Sequence, residues 1–200
     1  YSPYRERMLR HRVPGLVPQG PAAPPRVERP GGRRVVQPPP EQYRLRPSLL
    51  ASLTWSFLDQ LNAWAKVPVL VKGILTAEDA ALCVKRGAAG VVVSNHGARY
   101  LDHVPSTIEV LPEIVDAVGG KIPVLIDGGF RRGTDILKAL AIGAKAVMVG
   151  RPHVWGLGAF GQPGVVRALE LLQTELARAM GLAGRPTLAS IDRTVVRIER

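Results

Sequence analysis

From Ser52 onward the apolar positions fall into two alternating textures. "SLTWSFLDQLNAWAK" sets Leu53, Phe57, Leu58, Leu61 and Trp64 at helical spacing, with Ser52 or Thr54 available as N-cap. An unbroken apolar run follows in "VPVLVKG", then "TAEDAALCVKRG", then "AAGVVVSNHG". About fifty-five residues later the same order returns as "IPVLIDGG", "TDILKALAIG" and "AKAVMVGRP". Each unit predicts a strand, a turn, a short helix opened by Thr76 or Thr134 and closed by Gly87 or Gly143, and a second strand. Between the units, "STIEVLPEIVDAVGG" predicts a helix ending at Gly119 and Gly120. Strands are expected near 68–72, 89–94, 122–126 and 145–149. A last helix is expected near 163–180, with Val166, Leu169, Leu172 and Leu176 as its apolar stripe.

Strands rich in Val, Ile and Leu without alternation are buried on both faces, which predicts a parallel sheet covered by helices. A βαβαβαβ chain fits a doubly wound open sheet or half of a (β/α)₈ barrel. The polar groups favour the barrel, because they cluster past the C-terminal ends of the strands. Lys72 is expected to follow the first strand, Ser94 to Arg99 the second, "DGGFRRG" the third and "GRP" the fourth. Barrel active sites are built on that end, often with a phosphate site in the loops after the last two strands. The expected fold is therefore α/β, the C-terminal half of a (β/α)₈ barrel over residues 49–200.

Residues 1–48 do not share this pattern. They hold eleven of the eighteen prolines and show neither helical nor strand periodicity, so an irregular or disordered Pro/Arg-rich segment is expected. They also carry ten arginines against three glutamates, a net +7 of the chain's +11. The overall basicity is therefore mostly a property of this segment, and it lacks the aromatic interleaving that stacks bases, so no nucleic-acid partner is expected. No apolar run is long enough for a membrane span. Cys83 is the only cysteine, which excludes an internal disulfide and favours a cytosolic location; its setting in "AEDAALCVKRG" predicts a buried structural thiol.

Two clusters carry candidate chemistry. "DGGFRRGTDILKAL" puts Gly128, Gly129, Arg131 and Arg132 between a strand and a helix N-terminus, and "VGRP" adds Gly150 and Arg151 at the next strand end. Glycines admit an oxyanion to the backbone, arginine grips it bidentately, and a helix N-terminus favours negative charge. One such turn would equally suit solvated arginines; two adjacent strand ends with Gly plus Arg favour a phosphate of a substrate or cofactor. The second cluster is "VVVSNHGARYLD", where His96 stands three residues before Arg99. A loop histidine is often only structural, but a base titrating near neutrality beside a fixed cation suits a substrate with an abstractable proton and a carboxylate. Lys72 would sit in the barrel mouth and require an anionic partner, which an electron-rich cofactor could provide. No set of residues suggests a metal.

"LVKGILTAEDA", "VVVSNHGARYLD", "PVLIDGGFRRGTDILKALAIGAKAVMVGRP" and "LAGRPTLASIDRTVV" together resemble the C-terminal half of the FMN-dependent α-hydroxy acid oxidases and dehydrogenases, over about residues 50–200. The resemblance implies an oxidoreductase with FMN as cofactor and a small 2-hydroxy acid of the lactate or glycolate type as substrate. It implies His96 as the base and Arg99 as the anchor for the substrate carboxylate. Lys72 would stabilise negative charge on the reduced flavin, and Ser94 would contact the flavin. Asp127, Gly128, Gly129, Arg131, Gly150 and Arg151 would hold the ribityl phosphate end. Tyr100 stands where many members have glutamine.

The family's preceding strands, with their two active-site tyrosines and second substrate arginine, have no counterpart in the motifs above, and Tyr1, Tyr4 and Tyr43 receive no role. Two alternatives accordingly stay open: a truncated, catalytically inactive fragment, and a basic binding module acting through the Arg-rich arm. A half-barrel also invites either self-pairing into a homo-oligomer or a complementing half-barrel from another chain.

Overall fold

The computed structural model describes residues 53–198, so the expectation for residues 1–48 lies outside the described residues. The chain divides between Phe57 and Leu58 into two units. In the first, residues 53–57 are described and include the start of helix α1 (Trp55–Trp64), whose remainder belongs to the second unit.

The second unit then alternates strand and helix. β1 (Leu70–Ile74), β2 (Gly90–Val93), β3 (Val124–Ile126) and β4 (Ala146–Val147) form one sheet in the order β1-β2-β3-β4, and every pair is parallel. Each strand lies beside its successor, without the reversal of order that marks a doubly wound sheet. With right-handed crossovers, this order sends every connecting helix to the same face, which is the winding of a (β/α)₈ barrel. Among the described residues four parallel strands are present, half the number of a complete barrel, and the half-barrel expectation is met.

The connecting helices are α2 (Ala77–Lys85), α3 (Thr107–Val118) and α4 (Gly133–Ile142). Thr76 caps α2 as expected, its hydroxyl accepting from the Asp79 amide at 3.2 Å. α3 opens with the Ser106 amide donating to the Glu109 carboxylate and ends at Gly119 in the left-handed region. The core lies between sheet and helices. Val91, Val93, Ile126, Leu111 and Ile114 are fully buried, and Cys83 lies among them with its thiol pushed up to about 12 by burial and by the nearby Asp79.

β2 is buried along its whole length, whereas Leu70 of β1 and Ala146 of β4 are exposed. Among the described residues these two strands are the sheet's edges, and a barrel strand buries both faces only where neighbours flank it. The strand boundaries shift accordingly. β4 is two residues long rather than five, and β1 runs to Ile74 rather than stopping at 72. Lys72 therefore lies within β1, paired with Val92, not beyond its end.

α5 (Arg151–Leu182) contains the helix expected near 163–180 and extends it upstream to Arg151 through a break at Phe160 and Gly161, where the backbone leaves helical geometry. Its buried line is Gly164, Leu172 and Ala179; the expected stripe members Val166 and Leu169 are exposed instead. The reason is the neighbour against which α5 packs. A Cβ at Gly133, the first residue of α4, would fall 2.1 Å from the Leu176 amide nitrogen, so the two backbones touch there and fix which face of α5 is covered. Short 3₁₀ turns at Leu188–Ser190 and Arg193–Val195 close the described chain, and Arg193 ties them back by donating to the Asp116 carboxylate and the Ile142 carbonyl. Among the described residues no helix is long and apolar enough to cross a membrane.

Candidate functional site

The end of β2 shows how a short sequence aims a histidine. Ser94 is fully buried, and its hydroxyl accepts from Lys72 Nζ at 2.8 Å and from the His96 amide at 3.2 Å. Asn95 then folds the chain back: its side-chain oxygen accepts from the Gly97 amide at 3.0 Å, and its carbonyl from the Ala98 amide. His96 is thereby held at φ 55, a left-handed conformation uncommon for a residue with a side chain. Its ring reaches over Gly73, the residue at which the β1–β2 register slips; a Cβ there would lie 3.0 Å from His96 Cε1. The opposite neighbour of the ring is Tyr100, edge-on with centroids 5.3 Å apart.

At the end of β3, the Asp127 carboxylate lies 3.1 Å from Lys72 Nζ, and the Thr107 hydroxyl donates to the Asp127 carbonyl at 2.6 Å. Lys72 thus bridges two strand ends, with Ser94 on one and Asp127 on the other. The anionic partner that this lysine requires is supplied in part by the chain itself, through Asp127.

These groups surround an open cavity of about 460 Å³, a size within the usual range for small-molecule sites. Lys72, His96, Arg99 and Tyr100 are among the residues that line it. So are Asp127, Gly128, Gly129, Arg131, Gly150 and Arg151. Of the candidate residues, Ser94 and Arg132 are absent from the wall; Ser94 stands one layer behind, accepting from Lys72 and from the His96 amide. Arg132, by contrast, turns away to pair with Glu175 at 2.9 Å.

One expectation needs correction. The N-terminus of α4 does not face the cavity as a vacant anion site, because the chain's own carboxylates already occupy it. Glu175 accepts from the Gly133 amide at 2.9 Å, and Asp135 accepts from the amides of Arg131 and Arg132 at 3.0 Å each. The Gly133 N–H, with Arg132 beside it, holds the Glu175 carboxyl below its usual range. An anion in the cavity must instead rely on the guanidinium groups and on the Gly-rich strand ends.

Those strand ends suit one. A Cβ on Gly129 or Gly150 would meet nothing within 4 Å, leaving both backbones open to a ligand. The Oδ1 atom of Asp127 is buried without a hydrogen-bond partner, although a ligand hydroxyl would supply a donor of the kind it lacks. Lys72, Arg99, Arg131 and Arg151 outnumber the single wall carboxylate, so the cavity favours a ligand with negative charge. A molecule carrying a phosphate and several hydroxyl groups fits this donor set.

Three further contributors are set by the tertiary structure. Gly73 makes room for His96, Trp155 lies against Arg131, and Glu175 caps α4 from a helix forty-two residues away. Only Gly73 left a local signal, as a glycine inside an apolar strand pattern.

Comparison with known proteins adds independent findings. The family model described as FMN-dependent dehydrogenase matches residues 3–198, and so reaches into the segment before residue 49 that the quoted motifs do not cover. The chain is 54% identical over 149 residues to peroxisomal (S)-2-hydroxyacid oxidase GLO4 of Arabidopsis thaliana, covering 74% of this chain and 41% of that protein. It is 54% identical over 146 residues to human 2-hydroxyacid oxidase 1, covering 73% of this chain and 40% of the relative. Among solved structures, a soluble mutant of the membrane-associated (S)-mandelate dehydrogenase of Pseudomonas putida superposes with a TM-score of 0.73 at 44% identity, over 78% of this chain and 44% of its own. A mandelate oxidase variant with a monooxide FMN adduct superposes with a TM-score of 0.68 at 52% identity, over 70% of this chain and 45% of its own. The chain thus spans about two-fifths of the length of the curated relatives it matches.

Proposed function

Since the chain belongs to the FMN-dependent dehydrogenase family, we propose that its cavity serves the oxidation of a small 2-hydroxy acid, of the lactate or glycolate type, to the 2-oxo acid. Bound FMN would supply the two-electron acceptor for the hydride equivalent released from the substrate's C2. His96 takes the proton of the 2-hydroxyl group, a transfer for which an imidazole at the cavity wall is suited. Arg99, three residues further along the same loop, binds the substrate carboxylate and so fixes which hydroxyl His96 meets. Lys72, tied to Asp127 and Ser94, presents a fixed cation to the flavin ring system. Gly129, Gly150, Arg131 and Arg151 receive the phosphate, and Asp127 with Gly128 meets the ribityl chain.

The observation that carries this reading is the shared turn. His96 and Arg99 line the same cavity as two guanidiniums, Arg131 and Arg151, and two open glycine backbones, Gly129 and Gly150. Proton acceptor, carboxylate anchor and phosphate cradle therefore belong to one space. The test is anaerobic reduction of FMN bound to the purified chain, followed by the loss of flavin absorbance on adding glycolate or L-lactate. A chain that binds FMN and is reduced by neither, nor by a longer aromatic 2-hydroxy acid, would count against it.

A further inference from the structure

The two consecutive arginines of "FRRG" meet opposite fates. Arg132 pairs with the Glu175 carboxylate outside the cavity, and its charge is thereby neutralised. Arg131 lines the cavity, and among the described residues no carboxylate lies within ion-pair distance of it; its guanidinium carbon sits instead 5.5 Å from the centroid of the Trp155 indole. Trp155 follows Arg151 by four positions in the first arm of α5, so the indole and the second cavity guanidinium occupy the same helical face. Arg151 is itself steadied by donating to the Gly97 carbonyl at 3.5 Å.

Two guanidiniums facing one cavity repel each other, and each long side chain loses entropy when held there. A carboxylate could hold Arg131, but it would cancel the charge needed for an anion. An aromatic face attracts the guanidinium through its quadrupole and leaves the positive charge free. On this ground we propose that Trp155 is a positioning residue, which holds Arg131 beside Arg151 and preorganises the pair for the phosphate of FMN. The proposal rests on the flavin reading above and extends it to a side chain that need not touch the flavin itself. Trp155 is half-exposed, so the interaction belongs at the weaker end of the cation–π range.

The experiment compares the parent chain with W155L, W155Y, R131A and the double variant R131A/W155L. Dissociation constants are measured for FMN and for riboflavin, which lacks the phosphate. W155L is expected to weaken FMN binding about two- to fivefold and to leave riboflavin unchanged. W155Y should retain most of the FMN affinity. Adding W155L to R131A should cost nothing further, since the indole acts only through that guanidinium. Equal losses for FMN and riboflavin, or an undiminished effect of W155L without Arg131, would overturn the proposal.

If the parent binds neither compound, the flavin reading fails, and inorganic phosphate then decides the positioning role. The Arg131 Nε–H resonance should be displaced by the indole ring current in the parent and not in W155L, and phosphate should shift it at lower concentration in the parent. Equal phosphate affinity in both chains would rule the positioning role out.

Discussion

The imidazole of His96 occupies the space that a side chain at Gly73 would need: a Cβ built at residue 73 would lie 3.0 Å from His96 Cε1. Gly73 also holds φ +101, a conformation that L side chains rarely adopt. The glycine therefore does two things at once. It lets β1 bulge, and it seats the proposed base. Gly73→Ala is expected to destabilise the chain by about 1–2 kcal/mol, the cost of left-handed backbone for a residue with a Cβ. It should also displace the ring, and a misplacement near 1 Å can cost on the order of 10² in rate. Urea unfolding reads the first effect and the His96 Hε1 resonance the second; an unmoved resonance with normal stability would refute the account of Gly73.

His96 and Arg99 should separate kinetically in anaerobic flavin reduction. Loss of the base in His96→Ala is expected to slow reduction by about 10²–10⁴-fold. Arg99→Ala should act mainly on the substrate concentration required, because a hydrogen bond to a charged group is worth about 1.5–3 kcal/mol and the side chain is exposed. Reduction by His96→Ala as fast as by the parent would remove the histidine from its role.

Glu175 ties α5 to the N-terminus of α4, and its carboxyl is held below the usual glutamate range chiefly by the Gly133 amide and then by Arg132. A lowered pKa in the folded state means that the carboxylate stabilises the fold above the ordinary glutamate range. That contribution fades as pH falls through the lowered value. Glu175→Gln should therefore lower stability near pH 8 and flatten the acid limb of a plot of stability against pH, the two chains converging as pH falls. Identical acid limbs for parent and variant, measured by urea unfolding, would show that the cap is not coupled to folding.

Cys83 is fully buried, and burial together with Asp79 raises its thiol to about 12. It should stay protonated and unreactive toward a disulfide reagent at pH 8 in the folded chain, and react promptly in urea. Its rate of labelling in native buffer then reports opening of the space between α2 and the sheet. Immediate labelling without denaturant would contradict the burial of this helix.

The amino-acid sequence dictated the succession of strands and helices, because unbroken apolar runs followed by glycine-bearing turns can be satisfied in few ways. Of the two threonines expected to open helices, Thr76 caps α2, whereas Thr134 lies inside α4 behind Arg132. The sequence also determined the proximity of His96 to Arg99, since a Ser-Asn-His-Gly turn at a strand end compels it locally. The same locality sets the limit of what a sequence pattern specifies. Sheet order depends on how strands dozens of residues apart align, and no single segment encodes it; the barrel winding is legible only indirectly, from the polar groups that collect past the C-terminal strand ends. The stripe expected on α5 was misplaced for a related reason: periodicity names an apolar face but not the neighbour that covers it, and the contact at Gly133 chose Leu172 and Ala179 over Val166 and Leu169. Lys72 was recognised as needing an anion, yet Asp127 became its partner only when adjacent strands brought residues fifty-five positions apart to 3.1 Å. The α4 N-terminus looked vacant in sequence because its occupant, Glu175, arrives from another helix. Which arginine keeps its charge free, Arg131 or Arg132, was likewise decided by what each meets in space, an indole or a carboxylate. Local chemistry thus follows from neighbours in sequence, whereas the pairing of charges follows from neighbours in space, and only tertiary structure supplies those.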